Sequence, residues 1–328
     1  MKKTVSAVLA VLIVVLMLAG CNQNTPDNND TKKLSIVTTV FPVYDWVKNV
    51  LGDADVDVEM LLDTGVDLHS FQPTADDIVK ISSCDMFIYV GGESDEWVDG
   101  ALSKKLNENM TVINLIDVLG ENVKTEEIVE GMEAEHEEAE SEEHDHAEGP
   151  EYDEHIWLSL KNAAVLVNAI KDAVIKLDSA NEAKYTANAE AYINNLNALD
   201  AEYEKAVGEA NVKTLVFGDR FPFRYMTDDY GLEYFAAFAG CSAESEASFE
   251  TIAFLASKVD ELGLKSVLAI EGTDHRIAET VVSTTRNKDA AVLSLNSMQS
   301  VTAADVESGA TYLGIAKDNL EVLKQALN

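Results

Sequence analysis

The chain contains little positive charge. Only 24 of its 328 residues are Lys or Arg, against 59 Asp and Glu, and the net charge at pH 7 is −35. Proteins that bind nucleic acid use clusters of basic side chains to neutralise phosphates, and this sequence has no such cluster. The composition therefore excludes a nucleic-acid-binding protein and favours a surface that attracts cations.

Cysteine is scarce as well, with three residues in the chain. Cys21 lies in a predicted processing site, and Cys84 and Cys241 fall in different predicted lobes, so we expect no disulfide framework. We expect both of the latter to be small buried apolar residues. The thiol of Cys241 is also a possible metal ligand, but a single Cys in an apolar stretch is more often a packing residue.

Histidine is rare but unevenly distributed. Of six histidines, His136, His144, His146 and His155 lie within twenty residues, in or beside an acidic loop (125–154) that has fifteen Asp and Glu and no Lys or Arg after Lys124. Imidazoles among carboxylates form a poor core but bind divalent cations well. Metal binding is therefore the first hypothesis, and a solvated segment without metal is the alternative for the first three of these histidines.

The N-terminus resembles a bacterial lipoprotein signal. Residues 1–21 combine two lysines, an apolar run over 5–18 and the lipobox-like LAGC that ends at Cys21. That run is shorter than the roughly 20 residues that cross a bilayer, so we predict a cleaved signal peptide with lipid on Cys21 rather than an uncleaved anchor. Residues 22–33 have no large apolar side chain, and we predict a disordered tether that holds the protein outside the cell membrane.

The remaining residues predict two α/β lobes. Strands alternate with helices over 34–160 and again over 210–328, which is typical of parallel sheets covered by helices. Between them, 161–209 has apolar residues at helical spacing and no Pro, with a break or cap near 179–181. We predict one long helix or two abutting helices that form a rigid spine between the lobes.

Three predicted strands end beside polar residues. His69 follows strand 56–62 by a short loop, Asp219 follows strand 214–217, and Glu271 follows strand 266–270, with His275 four residues later. Ligands of open parallel sheets bind beyond the carboxyl ends of the strands. These residues are therefore expected to converge in a cleft between the lobes.

The assembled motifs resemble the metal-binding lipoproteins of bacterial ABC importers for zinc and manganese, and the zinc-uptake type above all. The resemblance is carried by the lipobox, DLHSFQPT at 67–74, DEHIWLS at 153–159, the long spine, DYGL at 229–232 and the last helix. It implies a metal site between two lobes, with His69 and His155 as ligands from the first lobe. It also implies a His or Glu and an Asp or Glu from the second lobe.

The second lobe departs from the family pattern. Counting back from Tyr230 places Arg220 at the ligand position, and a guanidinium has no lone pair for a metal. Either Asp219 supplies an oxygen, or Arg220 turns away to hold a carboxylate and the ligand comes from elsewhere. We predict His69, His155 and His275 as nitrogen ligands, completed by a carboxylate or water, with Asp219 preferred over Glu271. Three imidazoles and one oxygen suit zinc better than manganese.

The function that follows is extracytoplasmic capture of Zn²⁺ and its delivery to a membrane permease and ATPase, without catalysis, by a protein expected to be a monomer. The loop histidines His136, His144 and His146 would collect zinc with low affinity. A manganese-binding member of the same family, a zinc metallohydrolase and an adhesin are the alternatives. The sequence lacks the HExxH pair that is typical of many zinc hydrolases.

Overall fold

The structure is a computed structural model that describes residues 33–133, 151–240 and 246–328. It contains two four-stranded sheets, one in each half of the chain, with helices packed on them. Every strand pair is parallel, as the alternation of strands and helices predicts, because parallel strands need a crossover connection. The prediction of two α/β lobes is confirmed.

Lobe 1 contains the sheet with strand order β2-β1-β3-β4. Its inner strand β3 is an apolar run, buried along nearly its whole length, because helices cover both faces. The strands are β1 (Ser35–Thr38), β2 (Asp57–Met60), β3 (Met86–Tyr89) and β4 (Thr111–Asn114). The helices are α1 (Phe41–Leu51), α2 (Ala75–Ser83), α3 (Trp97–Leu102) and α4 (Leu115–Leu119).

The spine consists of two helices rather than one: α5 (Leu160–Leu177) and α6 (Glu182–Glu209), joined by a short turn at Ser179–Asn181. The Asp178 carboxylate fixes this turn by accepting hydrogen bonds from Asn181 at 2.7 Å and Tyr185 at 2.6 Å. The predicted break near 179–181 is thus present, and the two helices pack against each other.

Lobe 2 contains the sheet with strand order β6-β5-β7-β8. Two of its helices, Arg224–Tyr230 and Ala303–Glu307, are too short to show helical periodicity, and the sequence did not predict them. The strands are β5 (Thr214–Phe221), β6 (Glu233–Ala239), β7 (Ser266–Ile270) and β8 (Ala291–Leu295). The helices are α7 (Arg224–Tyr230), α8 (Phe249–Leu262), α9 (Arg276–Thr284), α10 (Ala303–Glu307) and α11 (Tyr312–Ala326).

Strand β5 is longer than predicted. The expected end at Phe217 is wrong, because Arg220 and Phe221 continue the pairing with β6 after a register shift. The apolar pattern of the sequence stops at Gly218, and beyond this residue the strand continues through its pairing with β6. Asp219 and Arg220 therefore belong to the strand itself, which fixes their backbones.

The long helix α6 connects with both lobes. Its Tyr192 hydroxyl donates to Asp45 of α1 at 2.9 Å, and its Tyr203 hydroxyl donates to the carbonyl of Ala316 in α11 at 2.5 Å. An edge-to-face contact between Trp46 and Tyr312, with centroids 5.3 Å apart, joins α1 directly to α11. One apolar core runs through these elements, and residues 34–328 form one compact unit.

Within that core Cys84 is buried as predicted and forms no disulfide, whereas Cys21 and Cys241 lie outside the described residues. In the described parts of the chain, no helix combines the length and the apolar composition needed to cross a bilayer. The predicted domain boundaries at 160 and 209 stay a prediction.

Candidate metal centre

His69 is held in a short helical turn after β2. The turn spans Leu68–Ser70, with Leu68 buried beneath it, and the Asp67 carboxylate caps it by accepting a hydrogen bond from the backbone N–H of His69 at 3.0 Å. Helix α2 has its own cap, a reciprocal pair of Thr74 and Asp77. The imidazole of His69 is therefore not used as a helix cap.

His155 follows the acidic loop and precedes the turn Ile156–Leu158. It is completely buried. One oxygen of Asp153 accepts hydrogen bonds from its backbone N–H and from its ring Nδ1, both at 2.9 Å. Trp157 packs edge-on against the ring, with centroids 5.5 Å apart. Because Nδ1 donates to Asp153, the neutral ring carries its lone pair on Nε2.

The two imidazoles face each other. Nε2 of His69 lies 3.4 Å from Nε2 of His155, and the ring planes are inclined by 60°. On the far side of the first ring, Nδ1 of His69 lies 2.7 Å from the hydroxyl of Ser94. Each ring is thus held at Nδ1 and presents Nε2 to the same point, an arrangement that orients histidine ligands toward a metal.

Burial and charge keep one of the two rings neutral. Burial lowers the pKa of His69, and the positive charge of a protonated His155 lowers it further. Burial also opposes protonation of His155, but the adjacent Asp153 carboxylate reverses this effect and raises the pKa of His155. A divalent cation can bind both Nε2 atoms only when neither carries a proton.

The wall beside His155 comes from lobe 2. A Cβ on Gly240 would lie 3.1 Å from Cε1 of His155 and 2.8 Å from the carbonyl oxygen of Phe221. A side chain at position 240 would therefore press on the imidazole. The glycine at position 240 lets the chain after β6 approach the ring of His155 this closely.

Two of the remaining predicted ligands, His275 and Asp219, line a cavity of about 420 Å³ at the ends of β5 and β7. Asp67 and Arg220 line it as well. The backbone of His275 has a φ of 56°, an uncommon conformation for a residue with a side chain. Its imidazole makes no capping hydrogen bond to α9, which leaves the ring available for another role.

The two candidate carboxylates already accept hydrogen bonds. Asp219 accepts from the backbone N–H of Ile270 at 3.2 Å, from Thr273 at 2.9 Å and from the backbone N–H of Arg220 at 2.9 Å. Glu271 accepts from the backbone N–H of Ser297 at 2.6 Å and from its hydroxyl at 2.8 Å. Each carboxylate oxygen has two lone pairs, so these hydrogen bonds orient the two groups without excluding a metal.

The guanidinium of Arg220 does turn toward a carboxylate. Its Nη2 donates to Asp67 at 2.7 Å, so Arg220 holds a carboxylate as the second alternative expected, while the residue that supplies the oxygen ligand stays a prediction. Asp67 lies in the turn that holds His69, so the partner of Arg220 comes from the opposite lobe.

The structure thus brings His69 and His155 together and places His275 and Asp219 around the neighbouring cavity. Over residues 33–133, 151–240 and 246–328, no three His, Cys, Asp or Glu side chains stand close enough to share a metal. The roles of His275, Asp219 and Glu271 stay predictions. His136, His144 and His146 fall outside the described residues.

Three contributors to the site were missed in the sequence. Ser94 could not be found in the sequence, because a serine between two acidic residues has no characteristic pattern. Glu154 lies between Asp153 and His155 in the DEHIWLS motif and was given no role there, and its Oε1 accepts from the backbone N–H of Ser94 at 2.8 Å. Asp67 belongs to the recognised motif, but only the fold reveals Arg220 as its partner.

Comparison with known proteins finds relatives that are named for zinc binding or zinc uptake. The chain is 32% identical over 326 residues to the zinc-binding lipoprotein AdcA of Streptococcus pneumoniae. This alignment covers 98% of this chain and 61% of the length of AdcA. It is 30% identical to the high-affinity zinc uptake system protein ZnuA of Bacillus subtilis, over 100% of this chain and 99% of that protein.

Solved structures show the same fold. The Zn(II)-bound ZnuA-like domain of S. pneumoniae AdcA superposes with a TM-score of 0.69 at 28% identity, covering 90% of this chain and 99% of that domain. The metal-dependent lipoprotein YcdH of B. subtilis superposes with a TM-score of 0.71 at 27% identity, again covering 90% and 99%. A family model matches residues 36–326, and the chain belongs to the ZnuA family, described as zinc-uptake complex component A, periplasmic.

Proposed function

We propose that this protein captures Zn²⁺ outside the cytoplasmic membrane and delivers it to the permease and ATPase of an ABC importer. The observation that carries the proposal is the histidine pair, with Nε2 of His69 and Nε2 of His155 3.4 Å apart at the cleft. The relatives AdcA and ZnuA carry zinc binding or zinc uptake in their names, which supports zinc as the cargo.

The ligand types favour zinc over manganese. Zinc binds imidazole nitrogen readily and accepts four ligands, whereas manganese prefers oxygen ligands in larger number. Of the carboxylates beside the histidines, Asp153 accepts from His155 and Asp67 accepts from Arg220. These groups orient the site rather than supply oxygen ligands. A titration that showed tighter binding of Mn²⁺ than of Zn²⁺ would overturn this choice.

The protein is proposed to act as a binding protein without catalysis, as a monomer, anchored by lipid on Cys21 and the tether 22–33. Membership of a zinc-uptake family supports this role. The anchor can be tested by labelling cells with a fatty-acid analogue. A Cys21→Ser variant should carry no lipid and should appear in the medium.

The site is tested by zinc titration of the full chain against a competing chelator. His69→Ala and His155→Ala should each lose tight binding, because each removes one of the two facing nitrogens. In lobe 2 we expect His275→Ala and Asp219→Asn to weaken binding and Glu271→Gln to preserve it. If Glu271→Gln weakens binding and Asp219→Asn does not, Glu271 is the carboxylate ligand.

Cobalt substitution gives an independent readout of the ligand atoms. Co²⁺ bound by nitrogen and oxygen lacks the intense near-ultraviolet band of a thiolate complex. Such a band, lost in Cys241→Ser, would assign a ligand to Cys241 in place of one of the lobe 2 residues. The absence of the band would indicate that only nitrogen and oxygen atoms bind the metal.

The loop histidines provide a matched control. The triple variant His136→Ala, His144→Ala and His146→Ala removes three imidazoles but neither of the facing rings. We expect it to keep the tight site and to lose only additional weak zinc binding. Complete loss of tight binding in this variant would contradict the role of His69 and His155 as the main nitrogen ligands.

A further inference from the structure

An ion pair beside the cavity of about 420 Å³ connects the two lobes. Nη2 of Arg220, on β5 of lobe 2, lies 2.7 Å from Oδ2 of Asp67, which follows β2 in lobe 1. The side chains are only 20% and 25% exposed, so solvent screens the pair less than one on the open surface. The contact joins residues 153 positions apart in the sequence.

The same carboxylate also holds a proposed metal ligand. While Oδ2 of Asp67 binds Arg220, Oδ1 accepts the hydrogen bond from the backbone N–H of His69 at 3.0 Å. The His69 turn is therefore linked to Arg220 through the carboxylate of Asp67. A shift of the guanidinium would move the carboxylate and the turn together.

Arg220 itself stands on a rigid support. Its backbone N–H donates to Asp219 at 2.9 Å, and Asp219 in turn holds Thr273 and the backbone of Ile270 at the end of β7. Arg220 also pairs in register with Phe238 of β6. Its backbone is thus fixed to both neighbouring strands of the second sheet.

We propose that Arg220 is a positioning residue that latches lobe 2 onto the His69 turn, so that an ion pair helps to hold the cleft closed over the two imidazoles. The guanidinium donates hydrogen bonds but has no lone pair for a metal. It therefore acts through Asp67 rather than on the cation. The zinc readout below rests on the proposed function, whereas the exchange readout does not.

The first experiment uses the metal-free full chain. In Arg220→Gln, hydrogen exchange of the backbone amides at 67–71 should become faster, because the turn loses its tie to lobe 2. Arg220→Lys keeps the charge and should restore part of the protection. Unchanged exchange in Arg220→Gln, in a variant whose circular dichroism shows a folded protein, would overturn the latch.

A neighbouring arginine supplies the matched control. Arg276 lines the same cavity, and its guanidinium pairs with Asp274, two residues away in lobe 2. Arg276→Gln removes the same charge without cutting a link between the lobes. It should leave exchange at 67–71 unchanged. Faster exchange in both variants would show that cavity charge, and not the link to Asp67, controls the turn.

The second experiment measures the release of zinc to an excess of chelator. Arg220→Gln should release zinc about fivefold faster than the unaltered protein, a modest effect because the pair is partly exposed. Release from the unaltered protein should accelerate with salt, and the variant should lose that dependence. Equal rates and equal salt dependence would contradict the proposal.

Removing the other partner gives a different result. In Asp67→Asn the positive charge of Arg220 stays beside the site without its carboxylate and repels the zinc cation, whereas Arg220→Gln leaves a carboxylate, which does not repel zinc. Zinc affinity should therefore fall further in Asp67→Asn than in Arg220→Gln. If no form of the protein binds zinc, the proposed function fails, and the exchange experiment still decides whether the latch exists.

Discussion

Oε2 of Glu154 lies 3.6 Å from Nδ1 of His69, on the side of the imidazole opposite to the nitrogen that faces His155. This oxygen is buried and has no hydrogen-bond partner within the described protein. Burial raises the pKa of the Glu154 carboxyl. Two consecutive acidic residues thus serve the two rings, since Asp153 binds Nδ1 of His155.

Glu154→Gln should weaken zinc binding. When a metal occupies Nε2 of His69, Nδ1 carries a proton, and a carboxylate nearby increases the basicity of the ring. The amide of Gln removes that charge while keeping the shape, and we expect a loss of affinity of about tenfold or more. The measurement is a competition titration with a chelator. Glu151→Gln, an exposed residue of the same segment, should leave affinity unchanged; an equal loss in both would refute a specific role for Glu154.

Gly92→Ala should destabilise the protein through the same carboxylate. Gly92 has a φ of 87°, and a Cβ there would lie 2.3 Å from Oε1 of Glu154. Strain in the left-handed region and displacement of Glu154 together should lower the free energy of unfolding by about 1–3 kcal/mol. Urea unfolding measures this change.

Gly100→Ala is the control for the Gly92 substitution. No atom lies within 4 Å of a Cβ at Gly100, which belongs to helix α3. That replacement should stabilise the protein by about 0.5–1 kcal/mol, because Ala loses less conformational entropy in a helix. The same destabilisation at both positions would show that the contact with Glu154 is not the cause.

The sequence predicted those parts of the site that depend on neighbouring residues. His69 and His155 were identified through the resemblance of the motifs at 67–74 and 153–159 to the metal-binding lipoproteins, and the structure places their rings together. Strand positions followed from the apolar pattern, and β7 (Ser266–Ile270) has the predicted ends.

The parts that were missed depend on contacts between distant residues. Asp67 and Arg220 are 153 positions apart, and Ser94 and Glu154 are 60 apart. Hydrophobic periodicity carries no information on which carboxylate a guanidinium will meet after folding. Strand β5 was predicted too short for the same reason, because its last residues are held by β6 rather than by an apolar pattern of their own.

Asp45 gives a prediction for stability against pH. Burial raises the pKa of this carboxyl from its ordinary value of 3.8 to about 6. The hydrogen bond that Tyr192 donates to it acts in the opposite direction but is the smaller effect. The folded state therefore holds the proton more tightly than the unfolded state. The stability from this group is fully present below pH 3.8 and is lost as pH rises through about 6. A shift of this size corresponds to about 3 kcal/mol.

Asp45→Asn tests that assignment because the amide stays neutral at every pH and can still accept from Tyr192. Compared with the unaltered protein, the variant should gain stability between pH 4 and pH 8, by at most about 3 kcal/mol. Urea unfolding of the metal-free full chain at both pH values gives the difference. Asp318→Asn, at an exposed position of α11, controls for the loss of one negative charge. A constant difference between Asp45→Asn and the unaltered protein at both pH values would contradict the assignment.

Zinc affinity should depend on pH through His155. The Asp153 carboxylate raises the pKa of His155 against the opposing effect of burial, and a protonated ring cannot bind zinc at Nε2. As pH falls below this raised pKa, affinity should decrease by about tenfold per pH unit, since one proton must be displaced for each zinc bound.

Asp153→Asn should shift that decrease. Without the Asp153 carboxylate, the charges of Glu154 and Asp67 still oppose the effect of burial, but the pKa of His155 falls. The decline in affinity should therefore begin at a lower pH, even if affinity at pH 8 is weaker. The titrations should be made in the triple variant of His136, His144 and His146, which removes proton uptake by the loop imidazoles. An onset at the same pH with and without Asp153 would mean that a group other than His155 competes with zinc for the proton. Because the onset depends on the charge beside the ring and not on the overall stability of the fold, this measurement separates the electrostatic role of Asp153 from a purely structural one.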